Sequence, residues 1–294
     1  DADIVVDNFK AGVFAKMGFD DETLKLINPR LIRASVNGFG SKGVMSDRPA
    51  FDFIAQALSG FMSVNGTEET GPMRAAMPIS DLVAGLYCAF GIVCALQARS
   101  RNNEGQRVEA SLTSSLVSMM AYLSSESFVK GKAPNKSGNN HPILAPYGLF
   151  KSSDGEVAVA PASDKFCNVF LKCIELSDLL DQDLYKNNEN RMKNRESLNN
   201  IINDKMSKNT SDFWIEKLND AGCPAAKVAS LPDALNSQLI KDSEMIISSS
   251  GPEGRKIKMT GFPVKLSETP ARLYLSPPLL GEHTEEILKT IKKK

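Results

Sequence analysis

A chain of 294 residues is long enough for a sizeable core and for two domains. Its 35 basic and 35 acidic residues cancel at a pI near 6.9, so charge gives no reason to expect nucleic acid or an anionic membrane as a partner. Five dispersed cysteines (Cys88, Cys94, Cys167, Cys173 and Cys223) form no C-x-x-C pair; the first four lie in apolar helical contexts and read as buried thiols, suited to a reducing cytoplasm.

In chain order, residues 1–130 alternate strand and helix. "DIVVD" reads as a strand, residues 20–26 as a helix opened by acidic side chains, and "LIRASVNGF" as a second strand. The chain opens directly in that first strand without a starting methionine, and its beginning is expected to be missing. "NGFGSKGVMSDRP" is a loop punctuated by glycine, proline and charge. "FDFIAQALSGFMSV" reads as one helix, and residues 65–74 as a polar loop. The uncharged run Leu82–Leu96 has 15 residues where a membrane span needs about 20, so a buried core helix is expected. "QRVEASL" is a short strand, and "TSSLVSMMAYLSSESFV" one further helix. Such alternation predicts an α/β fold with a doubly wound, mainly parallel, Rossmann-like sheet.

Residues 131–146, rich in Gly, Pro, Asn and Lys, read as a linker. Residues 147–230 form a smaller α+β domain. It starts with a hairpin turning at Asp154–Gly155, followed by the amphipathic helix "DKFCNVFLKCIEL" and a helical stretch that Thr210 caps and Gly222 stops. Ser230 and Asp233 open another helix. Residues 231–294 are expected to return to the large domain through a strand, a proline-rich crossing and a final helix ended by lysines.

Asp81 is the candidate for chemistry. Pro78, Ser80 and Asp81 precede an apolar helix, an ordinary start signal in which Asp81 caps free amides. The same helix N-terminus would stabilise an ionised carboxylate in apolar surroundings, and such a group can act as a nucleophile. The local pattern leaves both readings open. Of the two histidines, His141 reads as a loop residue supporting the cleft, with catalysis as the alternative, while His283 precedes a helix cap at Thr284. No acidic–His–Cys cluster suggests a metal site.

The blocks "ADIVVDNFKAGVFAKMGF", "NPRLIRASVNGFG", "DRPAFDFIAQALSGFMSVNG" and "MPISDLVAGLYCAFGIVCAL", then "GQRVEASL", "GNNHPILAPYGLF" and "PLLGEHTEEIL", resemble the class III CoA-transferases, the carnitine and bile-acid CoA-transferase family. The likeness follows the family's order over essentially the whole chain. It implies that Asp81 attacks the thioester carbonyl of an acyl-CoA, giving a mixed anhydride and CoA thiolate. The thiolate then attacks the aspartyl carbonyl to leave an aspartyl-CoA thioester, and an acceptor carboxylic acid reverses the sequence. It implies that Asn8, Phe9, Lys16 and Met17 line the CoA site, and that Asn37, Gly38, Phe39 and Gly40 border the pantetheine and reacting carbonyl. From residue type alone, Lys16 is equally a solvated lysine and the glycines a plain turn. The resemblance also implies acyl-CoA as substrate without a permanently bound cofactor, and interlocked homodimers. Asn37 replaces the lysine of the formyl-CoA/oxalate branch, and that branch's glycine-run lid is absent; both argue against oxalate as acceptor.

The same fold family contains α-methylacyl-CoA racemases, whose His–Asp pair matches "PAFDFIAQALSG". Here the pair is Phe51–Asp52, and phenylalanine cannot shuttle a proton. A third reading is a catalytically incompetent, shortened member lacking the family's first strand and helix.

Overall fold

The computed structural model describes residues 2–251 and 254–292. The first part runs β1 (Ile4–Asp7), α1 (Val13–Lys16), α2 (Asp21–Ile27), β2 (Ile32–Asn37), α3 (Asp52–Leu58), α4 (Phe61–Val64), α5 (Ile79–Asn102), β3 (Arg107–Ser111), α6 (Leu112–Met119) and α7 (Tyr122–Lys130). The strands form a parallel sheet in the order β1-β2-β3, with Ile4 opposite Ile32 and Ala34 opposite Val108. Strand side chains alternate between faces, so the sheet is covered differently on each side. On one face α5 approaches closely: a Cβ on Gly91 would stand 2.7 Å from Val108 Cγ1. On the other, Arg33 and Arg107 reach Asp21 at the start of α2, at 3.3 and 3.0 Å. The expected parallel sheet with helices is therefore present.

Three local expectations are corrected. The helix expected over 51–64 breaks where Gly60 takes φ 84°, a left-handed conformation that favours glycine, and restarts as α4. The helix expected over 113–129 breaks at Ala121, φ 48°, where no Gly or Pro marks it. The uncharged run of 82–96 belongs to a 24-residue helix, because residues 79–81 and 97–102 continue it. By length and composition α5 could cross a membrane. It instead buries Ala84, Cys88, Ala95 and Arg99 against its neighbours. The Arg99 guanidinium donates to the carbonyls of Arg30 (3.0 Å) and Asp3 (3.3 Å) and pairs with the Asp3 carboxylate (2.9 Å), clamping the helix across the start of β1. Its opposite stripe, Leu82, Leu86, Phe90 and Val93, is exposed, as is Cys94, contrary to the buried thiol expected there.

The second part contains β4 (Gly148–Ser152), β5 (Gly155–Val159), α8 (Asp164–Cys173), a 3-10 turn (Ser177–Asp181), α9 (Asn188–Lys193), α10 (Arg195–Met206), α11 (Ser211–Asp220) and β6 (Ala225–Lys227), with an antiparallel sheet β4-β5-β6. It holds the larger apolar core, in which Phe150, Phe170, Leu198, Ile202, Trp214 and Leu218 are fully enclosed. Thr210 caps α11 by accepting from the Phe213 amide, and Gly222 takes a positive φ just beyond its end, both as expected. The hairpin turn lies one residue earlier than expected, at Ser153–Asp154. The reason is Asp154: its carboxylate accepts from the Ser211 amide (2.7 Å) and hydroxyl (2.8 Å) and from the Ser152 hydroxyl, which holds its pKa at about 2. Burial pushes the Cys167 and Cys223 thiols up to about 11, so both stay protonated.

The remainder comprises α12 (Leu231–Asn236), α13 (Gln238–Asp242), the antiparallel hairpin β7 (Ile246–Ser250) and β8 (Lys256–Thr260), and α14 (Thr284–Lys292). Ser230 caps α12 through the Asp233 amide, as expected. β7 was not foreseen, since three serines obscure any apolar alternation. His283 rather than Thr284 takes the cap position of α14, its carbonyl accepting from the Ile287 amide. Residues 262–282 are exposed throughout. The lysines expected to end the last helix include Lys293 and Lys294, which lie outside the described residues.

Candidate functional site

In an open parallel sheet, ligands collect beyond the carboxyl ends of the strands. Asn8 directly follows β1, Asn37 closes β2 with Gly38–Gly40 following, and Ser111 closes β3. The Asn8 side-chain amide donates to the Val36 carbonyl (2.9 Å), tying the ends of β1 and β2 together. Phe9 stacks on Phe14 (6.2 Å), and Phe14 on Phe19 (4.9 Å). Lys16 and Met17 are exposed at the end of α1.

The loop after β2 is drawn onto two helix starts. Gly38 sits so close to Ala50 that a Cβ would stand 2.1 Å from the alanine Cβ, so only glycine fits. Its carbonyl accepts from the Thr113 amide (3.2 Å) and hydroxyl (2.9 Å) in α6. Asn37 is buried, and its polar atoms serve the loop: Oδ1 accepts from the Gly40 amide (2.5 Å) and Nδ2 donates to Glu109 (3.4 Å). Beside this loop, between α1, α2 and the sheet, lies a cavity of about 380 Å³ lined by Lys10, Phe14, Phe19, Arg33, Lys42 and Arg107 among others. It is bordered by sequence neighbours of Phe9 and Gly40 rather than by those residues themselves.

Asp81 occupies the third position of α5 and makes no capping hydrogen bond. The cap comes from elsewhere. Asp52, buried at the start of α3, accepts from the Ser80 amide (2.9 Å) and hydroxyl (2.8 Å) on one oxygen, and from Gln56 (2.6 Å) on the other. Gln56 in turn accepts from the Ala75 amide (2.8 Å), fixing the strand of loop that feeds α5. Arg74 lies over the Phe53 ring (5.4 Å) with a guanidinium nitrogen 4.0 Å from Asp52. The capping reading of Asp81 is thereby replaced: Asp52 satisfies the helix end and leaves the Asp81 carboxylate without a partner. Lost solvation first, and the negative charge of Asp52 second, push its pKa above the ordinary carboxylate value. In the single chain its side chain is exposed.

Reading residues alone missed three contributors: the capping role of Asp52, the cavity cation Lys10, and Glu109. For Glu109 one signal was available, an acidic residue two positions from Arg107 in a strand, hence on the same sheet face. His141 supports its loop: Nδ1 accepts from the Ile143 amide (3.2 Å), its ring packs on Tyr147 (4.8 Å), and its carbonyl accepts from Arg195 (2.7 Å). Burial, aided by Arg195, lowers its pKa. Among the described residues no cluster of His, Cys, Asp or Glu could hold a metal.

Comparison with known proteins bears on the whole chain. The succinyl-CoA:mesaconate CoA-transferase of Haloarcula hispanica is 34% identical over 292 residues, spanning 98% of this chain and 73% of that protein. The mouse succinyl-CoA:glutarate CoA-transferase is 29% identical, over 98% of this chain and 66% of its own length. The chain thus spans roughly two thirds to three quarters of these relatives. Among solved structures, a CAIB/BAIF family protein from Brucella suis superposes with a TM-score of 0.84 at 29% identity, covering 99% of this chain and 75% of that one. The model of CoA-transferase family III matches residues 1–284, and the mixed α/β fold with its parallel sheet superposes on the CAIB/BAIF family protein; the chain belongs to CoA-transferase family III.

Proposed function

We propose that this chain transfers CoA from an acyl-CoA to a carboxylic acid, with Asp81 as nucleophile and an aspartyl-CoA thioester as intermediate. The observation that carries the reading is the division of labour at the start of α5: Asp52 caps the helix and Asp81 is left unpaired. Attack on the thioester carbonyl forms the Asp81–acyl anhydride and releases CoA thiolate. The thiolate then attacks the Asp81 carbonyl, expelling the acyl group as a carboxylate. The acceptor carboxylate repeats both steps in reverse and leaves as its CoA ester, regenerating Asp81. The anionic end of CoA is assigned to the cavity beside Phe9, where Lys10 and Lys42 stand; Lys16 and Met17 follow its lining residue Ala15 in sequence. The relatives above are named for glutarate and mesaconate, both dicarboxylic acids, and a dicarboxylic acceptor is proposed here, met by Arg74, which stands 4.0 Å from Asp52.

The exposed stripe of α5 and the exposed apolar tail, including Tyr274 and Leu280, support a homodimer in which a second copy covers both and shelters Asp81 from water. Incubation with acyl-CoA followed by hydroxylamine tests the chemistry. Mass spectrometry should find a hydroxamate at Asp81. Deuterium exchange at the α-carbon with Asp81 unlabelled would instead identify a racemase.

The pH profile provides a second check. Asp81 attacks only when ionised, so activity falls as pH drops through its pKa. The Asp52 charge raises that pKa. Asp52→Asn removes the repulsion and should move the acid limb of kcat/KM to lower pH. A limb that stays in place or moves upward contradicts the pairing.

A further inference from the structure

We infer that Glu109 is a positioning residue for CoA transfer, its carboxylate fixing the Asn37–Ser41 loop, which runs from the cavity wall at Ser41 to Gly38, packed on Ala50 two residues before the Asp52 that caps the Asp81 helix. The inference rests on the reading of Asp81 given above. Glu109 projects from β3, at the edge of the parallel sheet, and gathers four donors. Oε1 accepts from the Ser41 amide (2.5 Å) and the Asn37 side chain (3.4 Å). Oε2 accepts from the Ser41 hydroxyl (2.6 Å) and from Arg107 (2.9 Å).

Each contact fixes something specific. Asn37, steered by Glu109, holds the Gly40 amide, and Gly40 has φ 88°. A Cβ there would stand 3.4 Å from Glu109 Oε1, so the carboxylate also limits what the loop can carry. The loop therefore closes on Glu109 at both ends, at Asn37 and at Ser41. Behind it, Arg107 bridges Glu109 to Asp21 (3.0 Å), and Arg107, Asp21, Ser41 and Lys42 all border the 380 Å³ cavity. One ion-pair chain thus joins the wall of the cavity to the loop. Although burial acts to raise the Glu109 pKa, the Ser41 and Asn37 hydrogen bonds and Arg107 outweigh it and hold the group below its ordinary value, so it is an anion at neutral pH.

A loop held this way is preorganised, and a displacement near 1 Å at a reacting centre costs roughly a hundredfold in rate. Glu109→Ala should lower kcat by about tenfold to a hundredfold, because the loop seats Gly38 on the segment that leads into Asp52 and the Asp81 helix start, and should raise KM for acyl-CoA as well, because Ser41 borders the cavity assigned to its anionic end. Glu109→Asp should recover part of the loss. Glu109→Gln, close in shape, keeps the fold intact if the alanine variant does not, and should fall between, since its amide nitrogen confronts Arg107. The losses in Glu109→Ala and Asn37→Ala should not add in the double variant, as both act through one loop. The experiment measures single-turnover formation of the hydroxylamine-trapped Asp81 adduct together with steady-state kinetics. A wild-type protein that forms no adduct defeats the proposed function itself. A wild-type that forms it, with Glu109→Gln and folded Glu109→Ala matching its rate or losing only KM, overturns the role of Glu109.

Discussion

Asp81→Asn is expected to lose turnover by on the order of 10⁴-fold while folding normally. Removing a covalent nucleophile eliminates the pathway, and knock-outs of such residues in other enzymes cost that much or more. The asparagine amide has no anionic oxygen to attack a thioester, so the hydroxylamine-trapped adduct should vanish with the activity. Stability should change by less than about 1 kcal/mol, because the side chain is exposed and donates or accepts nothing in the helix cap. Two small effects oppose each other: the helix start loses a favourable charge, and Asp52 loses a repulsive neighbour. Asp52→Ala should behave in the opposite way. It strips partners from the buried Ser80 and Gln56 and uncaps α5, so its damage is to the fold first. An Asp81→Asn protein with full turnover removes the nucleophile assignment; one that unfolds returns Asp81 to a structural role.

The contrast between these two aspartates marks how far sequence could go. Local pattern saw Pro78-Ile79-Ser80-Asp81 as a helix start and offered Asp81 as its cap, because capping is usually supplied from within the same segment. The actual cap arrives from Asp52, 28 residues upstream, and separations of that kind leave no periodic trace. The parallel sheet was legible, since its three strands are short apolar runs between helices with clear start signals such as Asp20, whose carboxylate accepts from the Glu22 and Thr23 amides as a cap should. Loop chemistry was not legible: Gly38 is required by its contact with Ala50, yet by residue type it is equally a plain turn, and Asn37 looks the same whether it faces a ligand or Glu109. Breaks inside apolar stretches were invisible at Ala121 and visible in retrospect at Gly60. Cys94 was misplaced because the apolar run of α5 was read as buried all round, when only one side of it meets the sheet.

Trp214→Ala is expected to destabilise the second part of the chain by about 3–5 kcal/mol, a large fraction of a domain's total stability. The indole is 1% exposed within the core that includes Leu198, Ile202, Met206 and Leu218. Its Nε1 donates to the Met206 carbonyl at 2.6 Å. That carbonyl also accepts from the Asn209 amide (3.3 Å), so it is not orphaned by the substitution, and the cost is that of the cavity. Trp214→Phe, which keeps most of the ring volume, should cost distinctly less. Trp214 is the only tryptophan in the chain, which gives the wild type a reporter confined to this part. If residues 147–230 fold as their own unit, the fluorescence transition in urea will separate from the circular dichroism transition of the whole chain. Trp214→Ala should then shift only the dichroism component belonging to that unit, leaving the Asp81 end of α5 to unfold at its wild-type midpoint. Coincident transitions, moved together by the substitution, would mean that the apolar core around Trp214 and the parallel sheet unfold as one cooperative unit.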